Sequence, residues 1–295
     1  TSPATKTSPA TKTSPATNFD KANGRWISTG HAAASHTYDL RAVTKDGSEL
    51  VILRAGSPAG NQCTQPHYHA RTNGPLIAHY NIDNKTWRFT VKPPWGGASA
   101  SEVDPVSGKI IVLDRNSGIW AYDPVAGTTP VKVSSFKNGN MGYANNLVYF
   151  PPNDKFYYFS SSTGRVWEVS LIRSADKVIN ASVQEVGNGT GPKLPETGFA
   201  YDASNQVIGG GVYNNQFNVF NPITMAWTTT NIQVEGGGNV GTQAFHALDY
   251  DPVADVYIFI SNAASGFRVW AYRFSASSTS HTPVPIAAPS AVPPH

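Results

Sequence analysis

One compact group of residues in this sequence could ligate a metal: Cys63, His67 and His69. Two histidines separated by one residue point to the same side of an extended segment, and a nearby thiolate can join them. Copper and zinc both accept such ligands. In the alternative interpretation, the loop of residues 54–75 folds over the surface and its histidines are solvated or hydrogen-bonded. We expect no cofactor, and keep a metal bound by these three residues as the alternative.

A wider set of residues in the segments between apolar runs could bind a small polar ligand. Aromatic rings stack on sugars, amides and imidazoles bond to hydroxyl groups, and glycine-rich loops let a ligand approach the backbone closely. The candidates are Trp95, Asn140, Tyr143, Asn145, His67, His69, Arg71 and His246. Trp95 lies in Pro-Pro-Trp-Gly-Gly, where its ring either stacks on a sugar or plugs a channel.

Some of these candidates also suit catalysis. A polysaccharide lyase needs a base and an acid, which His67, His69, His246 and Tyr143 could supply, with Arg71 neutralising an acidic sugar. Glycoside hydrolysis needs a pair of inward carboxyl groups. Only Glu102, Glu196 and Glu235 are suitably placed, because Asp104, Asp202 and Asp251 fall in turns. No complete catalytic set emerges, so we assign no catalytic residue.

A repeat positions these residues. Short apolar strands recur along the chain, and the third strand of each unit ends at intervals of 42 to 52 residues, at Tyr80, Tyr122, Val169, Phe220 and Tyr272. Turns rich in Asp, Asn, Pro and Gly separate the strands. Units of this period and strand content are typical of propeller blades.

The repeat predicts an all-β fold, a five-bladed β-propeller of four-stranded antiparallel blades. The fifth unit shows no fourth strand before the chain becomes rich in Ser and Ala. A segment around Trp26 resembles the fourth strand of the first unit, where Trp87 lies. We therefore expect residues 26–29 to close the ring as the outer strand of blade five. Closure would leave no open sheet edge for another chain to pair with.

The Tyr-Asp-Pro segment at Tyr122 and the tryptophans that follow the third strands resemble kelch-type propellers, of the kind found in the central domain of galactose oxidase. The resemblance covers residues 18–275, and the glycine run Gly209–Gly211 matches the double glycine of kelch repeats. It implies a propeller whose loops carry the function. Because kelch-like proteins include oxidases and pure interaction domains, it also keeps a copper-type metal oxidoreductase open as an alternative.

Composition excludes several classes of protein. The chain has 295 residues with 22 basic and 19 acidic side chains, and its charges form no basic stripe that could follow a phosphate backbone. We expect no nucleic-acid partner. A single cysteine rules out an internal disulfide. No stretch of 18 apolar residues is present, so we do not expect the chain to span a membrane.

Low-complexity segments flank the repeat: a TSPATK tail at 1–17 and a Ser/Thr/Pro/Ala-rich tail at 276–295, with the propeller at 18–275. Such tails are typical of O-glycosylated, extracellular or cell-surface proteins. Three Asn-X-Ser/Thr triplets add possible N-glycosylation. The candidate modification sites are Thr1, Ser2, Thr5, Thr7, Ser8, Thr11, Thr13, Ser14, Asn84, Asn180 and Asn188.

These observations favour a non-enzymatic, secreted binding or assembly protein. Its expected partners are a carbohydrate or another protein, and its tails are expected to mediate self-association into a surface layer or fibre. The alternatives are a lyase-like carbohydrate-active enzyme and the metal oxidoreductase.

Overall fold

The computed structural model describes residues 19–20, 25–26, 39–55, 76–96, 99–137, 141, 145–160, 162–187, 191–195, 197–234, 238–263, 266–275 and 284–285. The regular elements in these ranges are β-strands and a short 3-10 helix, Pro151–Asn153. The first two strands, β1 (Phe19–Asp20) and β2 (Arg25–Trp26), pair only with each other. The other twenty strands form five sheets of four.

Each of these sheets is an antiparallel meander whose strands follow chain order. Blade one has β3 (Arg41–Val43), β4 (Glu49–Ala55), β5 (Leu76–Asn81) and β6 (Trp87–Phe89). Blade two has β7 (Ser99–Val103), β8 (Ile110–Asp114), β9 (Gly118–Tyr122) and β10 (Val131–Ser134). Blade three has β11 (Asn145–Phe150), β12 (Lys155–Ser160), β13 (Arg165–Ser174) and β14 (Lys177–Val186).

Blades four and five repeat this pattern. Blade four has β15 (Phe199–Asp202), β16 (Val207–Tyr213), β17 (Gln216–Asn221) and β18 (Ala226–Asn231). Blade five has β19 (Thr242–Asp251), β20 (Val256–Ala263), β21 (Gly266–Tyr272) and β22 (Val284–Pro285). The first strands of all five blades line one cavity, so the sheets surround a common axis. The all-β, five-bladed propeller is confirmed.

Buried apolar clusters join neighbouring blades. Blades three and four share a cluster in which Phe159 and Phe199 stack at 4.7 Å between ring centroids. Blades four and five share another, where Phe217 meets Tyr257 at 4.8 Å. Alternation along each strand turns one set of side chains toward each neighbour, and aromatic contacts add to the free energy gained by burial.

Side-chain-to-backbone hydrogen bonds hold the turns between strands. Asp104 accepts from the backbone amide of Val106 at 3.2 Å, and Asp251 accepts from that of Val253 at 2.8 Å. These contacts are Asx turns, which explains why Asp and Asn recur there. The expectation that the aspartates at the ends of first strands are turn residues agrees with this geometry.

The closing strand differs from our expectation. In the described residues, β22 pairs with β21 through Trp270 opposite Pro285, whereas Arg25–Trp26 pairs with Phe19–Asp20. The fourth strand of blade five therefore comes from the C-terminal segment that we predicted to be a tail. An outermost strand tolerates proline because one of its edges makes no ladder hydrogen bonds. Ahead of β3, Asp39 forms an isolated parallel bridge to Ala100 in blade two.

Candidate functional site

The central channel is a cavity of about 410 Å³ whose walls come from the first strands of all five blades. Its ionisable lining side chains are Asp39, Arg41, Glu102, Tyr149, Tyr201 and Asp249. The inner edge of each first strand borders the axis, so consecutive residues of these strands line the cavity. The channel therefore collects polar side chains from parts of the chain that lie far apart in sequence.

Asp39 links three blades at the axis. Its carboxylate accepts a hydrogen bond from the amide of Leu147 in blade three at 3.0 Å, and its carbonyl oxygen accepts from Ser101 Oγ in blade two at 2.7 Å. Burial raises the pKa of Asp39 to about 7, although the Leu147 amide and the charge of Arg41 act in the opposite direction. Near neutral pH, the neutral and the ionised form of this carboxyl group are therefore both populated.

Glu102 lies beside Asp39 in the same channel. Burial raises the pKa of Glu102 to about 8, and the neighbouring carboxylates of Asp39 and Asp249 raise it further, against one hydrogen bond from the amide of Val103 at 2.7 Å. The side chain lines the channel and is half-buried. Glu102 is therefore protonated at pH 7.

This arrangement offers a hydroxyl-bearing ligand both donors and acceptors. A protonated carboxyl group has one O–H donor and free acceptor oxygens, while Asp249 is exposed and acceptor-only when ionised. The lining carries little net charge, because Glu102 is neutral at pH 7 and the guanidinium of Arg41 lies in the same channel as Asp249, so it suits an uncharged ligand. Within the described part of the chain, no group of three metal-ligating side chains comes together.

A second buried polar network lies between blades one and two, away from the channel. His79 is fully buried, with Nδ1 2.8 Å from Glu49 Oε2 and Nε2 2.7 Å from Tyr122 Oη. Arg88 donates to both oxygens of Glu49, at 3.0 and 2.7 Å. Burial lowers the pKa of His79 despite the Glu49 partner. Because His79 and Tyr122 are inaccessible to solvent, this network has a structural role.

The structure places the predicted ligand-binding residues in different environments. Trp95 is buried at 4% exposure, and its indole N–H donates to the carbonyl of Leu53 at 3.2 Å. The interpretation as an exposed sugar platform is therefore wrong, since the ring packs in the core between blades one and two. Asn145 begins β11 and is 2% exposed. His246 lies in β19, in a stretch where only the backbone is described.

The other loop candidates lie outside the described residues. They are Cys63, His67, His69, Arg71, Asn140 and Tyr143, together with Glu196 and Glu235. The metal and lyase interpretations that depend on them stay predictions.

Two of the modification candidates can be examined. Asn84 is exposed in the turn between β5 and β6, and Asn180 is exposed on β14, the outermost strand of blade three. Asn188 and the tail residues Thr1, Ser2, Thr5, Thr7, Ser8, Thr11, Thr13 and Ser14 lie outside the described residues. Both examined asparagines are sterically accessible to a modifying enzyme.

Sequence reasoning missed Asp39 and Glu102 as a pair. From the sequence, Glu102 was considered only as a separate carboxylate, and Asp39 was not among the candidate residues. The available signal was their shared position: each falls at or beside the first strand of its blade, and the first strands of a propeller surround the axis. Which side chains face that axis depends on the register of each strand, which the repeat did not determine.

The fold and the channel together define a five-bladed β-propeller with a polar central cavity. No protein-family model matches the sequence, and a search of the curated proteins finds no significant match. Among the described residues, no helix has the length and apolar character needed to cross a membrane.

Solved structures share the fold at low sequence identity. An auxiliary nutrient binding protein from Bacteroides ovatus matches with a TM-score of 0.50 and 17% identity, over 74% of this chain and 55% of that one. A second auxiliary nutrient binding protein, from Bacteroides thetaiotaomicron, gives 0.48 and 12%, over 74% and 55%. The β-propeller domain of Cps50 (Swd1) from Myceliophteria thermophila gives 0.47 and 10%, over 84% and 70%. This chain spans about 55% of the length of either nutrient binding protein.

Proposed function

We propose that this protein is a binding protein that holds a small, neutral, hydroxyl-rich ligand such as a mono- or disaccharide in its central channel. The observation that carries the proposal is the cavity of about 410 Å³, lined by all five blades and containing the Asp39–Glu102 pair. Ligand sites typically enclose 300 to 1,000 Å³ and have a few convergent polar groups. At 17% identity the likeness to the Bacteroides ovatus protein concerns the fold, so the binding role depends on the channel.

Titration calorimetry with glucose, galactose, mannose, N-acetylglucosamine and lactose tests this function. At least one neutral sugar should bind at pH 6.5, and galacturonate should bind at least tenfold more weakly because its carboxylate would lose water beside that of Asp249. Glu102→Gln, which keeps a donor and an acceptor, should retain binding, whereas Glu102→Ala should lose it. Glu185→Ala, on the outer strand β14, is the matched control. If no sugar binds, or if Glu102→Ala binds like wild type, the proposed function is wrong.

The proposal also covers the localisation, glycosylation and self-association of the protein. We infer that it is secreted or held at a cell surface, glycosylated on its tails, on Asn84 and on Asn180, and self-associating through the tails. The Thr/Ser/Pro composition of residues 1–17 and the exposure of both asparagines support this inference. The kelch-like relationship belongs to the same proposal and is supported by the Tyr-Asp-Pro segment at Tyr122 and by the tryptophans that follow third strands, such as Trp87 and Trp227. Mass spectrometry of protein purified from its natural source should find hexose on the tail threonines.

Hydrolysis of a glycoside in the same channel is a second candidate function. It is favoured by one observation: Glu102, with its pKa raised to about 8, is a protonated carboxyl group close to ionisable Asp249. A protonated acid beside a carboxylate is the pairing that glycosidases use. Release of reducing sugar from a bound disaccharide, abolished in Glu102→Gln with binding retained, would establish it.

A further inference from the structure

The outer hairpin of blade three is longer than the rest of its sheet. Strands β13 and β14 have ten residues each, whereas β12 has six. In the described ladder, residues 165–169 of β13 pair with β12, and residues 170–174 pair with β14 alone. The end of this hairpin therefore projects beyond the sheet of blade three.

Two ion pairs fix the projecting end. Arg173 donates to Asp104 in blade two at 2.8 Å and to Asp154 in its own blade at 2.7 Å. The Asp104 side chain is fully buried and that of Arg173 is largely buried, so solvent ions screen their attraction only weakly. The hairpin therefore has a defined position against blade two.

A cavity of about 490 Å³ lies between this hairpin and the outer strand of blade two. Ala121 and Val178 form its buried side and belong to the apolar core that blades two and three share. Val131 from blade two and Ile179 from blade three also line it and are 61% and 56% exposed. A volume of this size with apolar side chains on both walls is typical of a small-molecule site.

A β-bulge turns Ile179 toward the cavity. Ile172 lies opposite Asn180 and Arg173 lies opposite Val178, so Ile179 is the extra residue of β14. In a regular strand the neighbours Val178 and Ile179 would face opposite sides of the sheet. The bulge breaks that alternation, and both side chains line the same cavity.

The ionisable side chains of this cavity balance in charge. Lys109 lies 2.7 Å from Asp123 and 4.0 Å from Asp176. Asp176 and Lys177 are consecutive residues at the end of the hairpin, and both are exposed and line the cavity. A ligand that carries one ammonium and one carboxylate group therefore finds an opposite charge for each and adds no net charge.

We propose that this cavity binds an apolar α-amino acid such as phenylalanine or leucine. The apolar side chain lies between Val131 and Ile179, and the ammonium and carboxylate groups lie at Asp176 and Lys177. Burial of the apolar side chain supplies most of the affinity, because ion pairs between exposed groups contribute little. The cavity shares no described lining residue with the central channel, so the proposal does not depend on the ligand of the channel.

Ligand-observed NMR titration of the full chain at pH 7 tests the proposal with four related compounds. Phenylalanine should bind about threefold more tightly than 3-phenylpropionate, which lacks the ammonium group, and than phenethylamine, which lacks the carboxylate. Alanine, which lacks the ring, should bind more weakly than phenylalanine by about tenfold or more. Asp176→Asn should abolish the preference over 3-phenylpropionate, and Lys177→Gln the preference over phenethylamine.

A matched pair of variants in the same hairpin locates the site. Ile179→Asp puts a charge where the apolar side chain must lie and should weaken phenylalanine binding by about tenfold or more. Ile172→Asp, at a 53% exposed position that does not line the cavity, should leave binding unchanged. Val131→Asp, on the opposite wall, should repeat the loss and replaces Ile179→Asp if that variant does not fold.

The proposal is wrong if phenylalanine does not bind, or if it binds no more tightly than alanine or than either singly charged analogue. It is also wrong if the Ile179→Asp and Val131→Asp variants bind phenylalanine like wild type. A neutral sugar that fills the channel should leave phenylalanine binding unchanged. Displacement of phenylalanine by that sugar would place the amino acid in the channel and overturn the proposal, whereas failure of every sugar to bind concerns the channel alone.

Discussion

Glu49 and Glu102 shift their pKa values in opposite directions although both are partly enclosed. The hydrogen bonds from Arg88 lower the pKa of Glu49, with a smaller contribution from His79, and burial opposes them. Among the described residues, no cation pairs with Glu102 in this way, so burial and the nearby carboxylates raise its pKa. The same residue type is therefore an ionised structural anchor at one site and a neutral hydrogen-bonding group at the other.

Replacing Glu102 by glutamine should change how stability depends on pH. The folded state holds the Glu102 proton up to about pH 8, whereas the unfolded chain releases it near 4.5, so ionisation costs stability as pH rises through that window. Glu102→Gln should therefore match wild type near pH 4 and exceed it at pH 9 by about 4 to 5 kcal/mol, the free energy that corresponds to a pKa raised from 4.5 to about 8. Urea unfolding at both pH values measures this. If Glu102→Gln differs from wild type by the same unfolding free energy at both pH values, the raised pKa of Glu102 is wrong. Asp249→Asn, at an exposed position, is the comparison variant.

Tyr122→Phe should remove one hydroxyl group from the buried network without leaving a large cavity. The hydroxyl contacts His79 Nε2 at 2.7 Å and Thr90 Oγ1 at 2.9 Å, and both partners would lose a hydrogen bond. We expect the free energy of unfolding to fall by about 1 to 2 kcal/mol. Tyr213→Phe, at an exposed position, should change it by less than about 0.5 kcal/mol. If the two variants lose similar amounts of unfolding free energy, the structural role assigned to the network is wrong.

Among the strands and turns, the residues that fix local turn geometry could be predicted from the sequence. Asp104, Asn221 and Asp251 mark turns because their side chains bond to backbone amides two or three residues ahead. The strand that closes blade five could not be predicted from the sequence. Val284–Pro285 has only two residues and lies in a proline-rich segment, so no strand pattern distinguishes it from its neighbours. Its assignment depends on pairing with β21, a tertiary contact that local pattern does not encode.

Arg173 joins blades two and three, and its removal should be costly. It donates to Asp104 at 2.8 and 2.9 Å and to Asp154 at 2.7 and 2.9 Å. Burial alone would raise the pKa of Asp104, but the hydrogen bonds from Arg173 lower it overall. Arg173→Ala leaves a buried carboxylate without its cation and should cost about 3 kcal/mol. Arg273→Ala, whose side chain is 55% exposed, should cost under about 1 kcal/mol in the same denaturation assay.

Gly209 in β16 marks a close approach between blades four and five. A Cβ atom there would lie about 2.7 Å from Tyr257 Cζ, 2.8 Å from Phe217 Cε1 and closer still to the Tyr257 hydroxyl. Gly209→Ala should therefore destabilise the protein by about 1 to 3 kcal/mol through overpacking. Adding Tyr257→Phe removes the nearest atom and should recover part of the loss. Scanning calorimetry measures both variants. If the double variant is no more stable than Gly209→Ala, the contact with the Tyr257 hydroxyl is not the cause of the lost stability.

At the scale of the whole molecule, five sheets of moderate size place residues from distant parts of the chain around one axis. Asp39, Glu102 and Asp249 each lie at or beside the first strand of a different blade. The period of the repeat was enough to predict the blades. It was insufficient to predict the channel lining, because a one-residue change of register turns each side chain of a strand to the opposite face of its blade.

The most direct test is a crystal structure of the protein with the neutral sugar that binds most tightly. It should show the sugar inside the channel, with hydroxyl groups within about 3 Å of Glu102 and Asp249. A sugar bound on the outer surface of the ring, with the channel free of it, would contradict the assignment of the channel as the binding site.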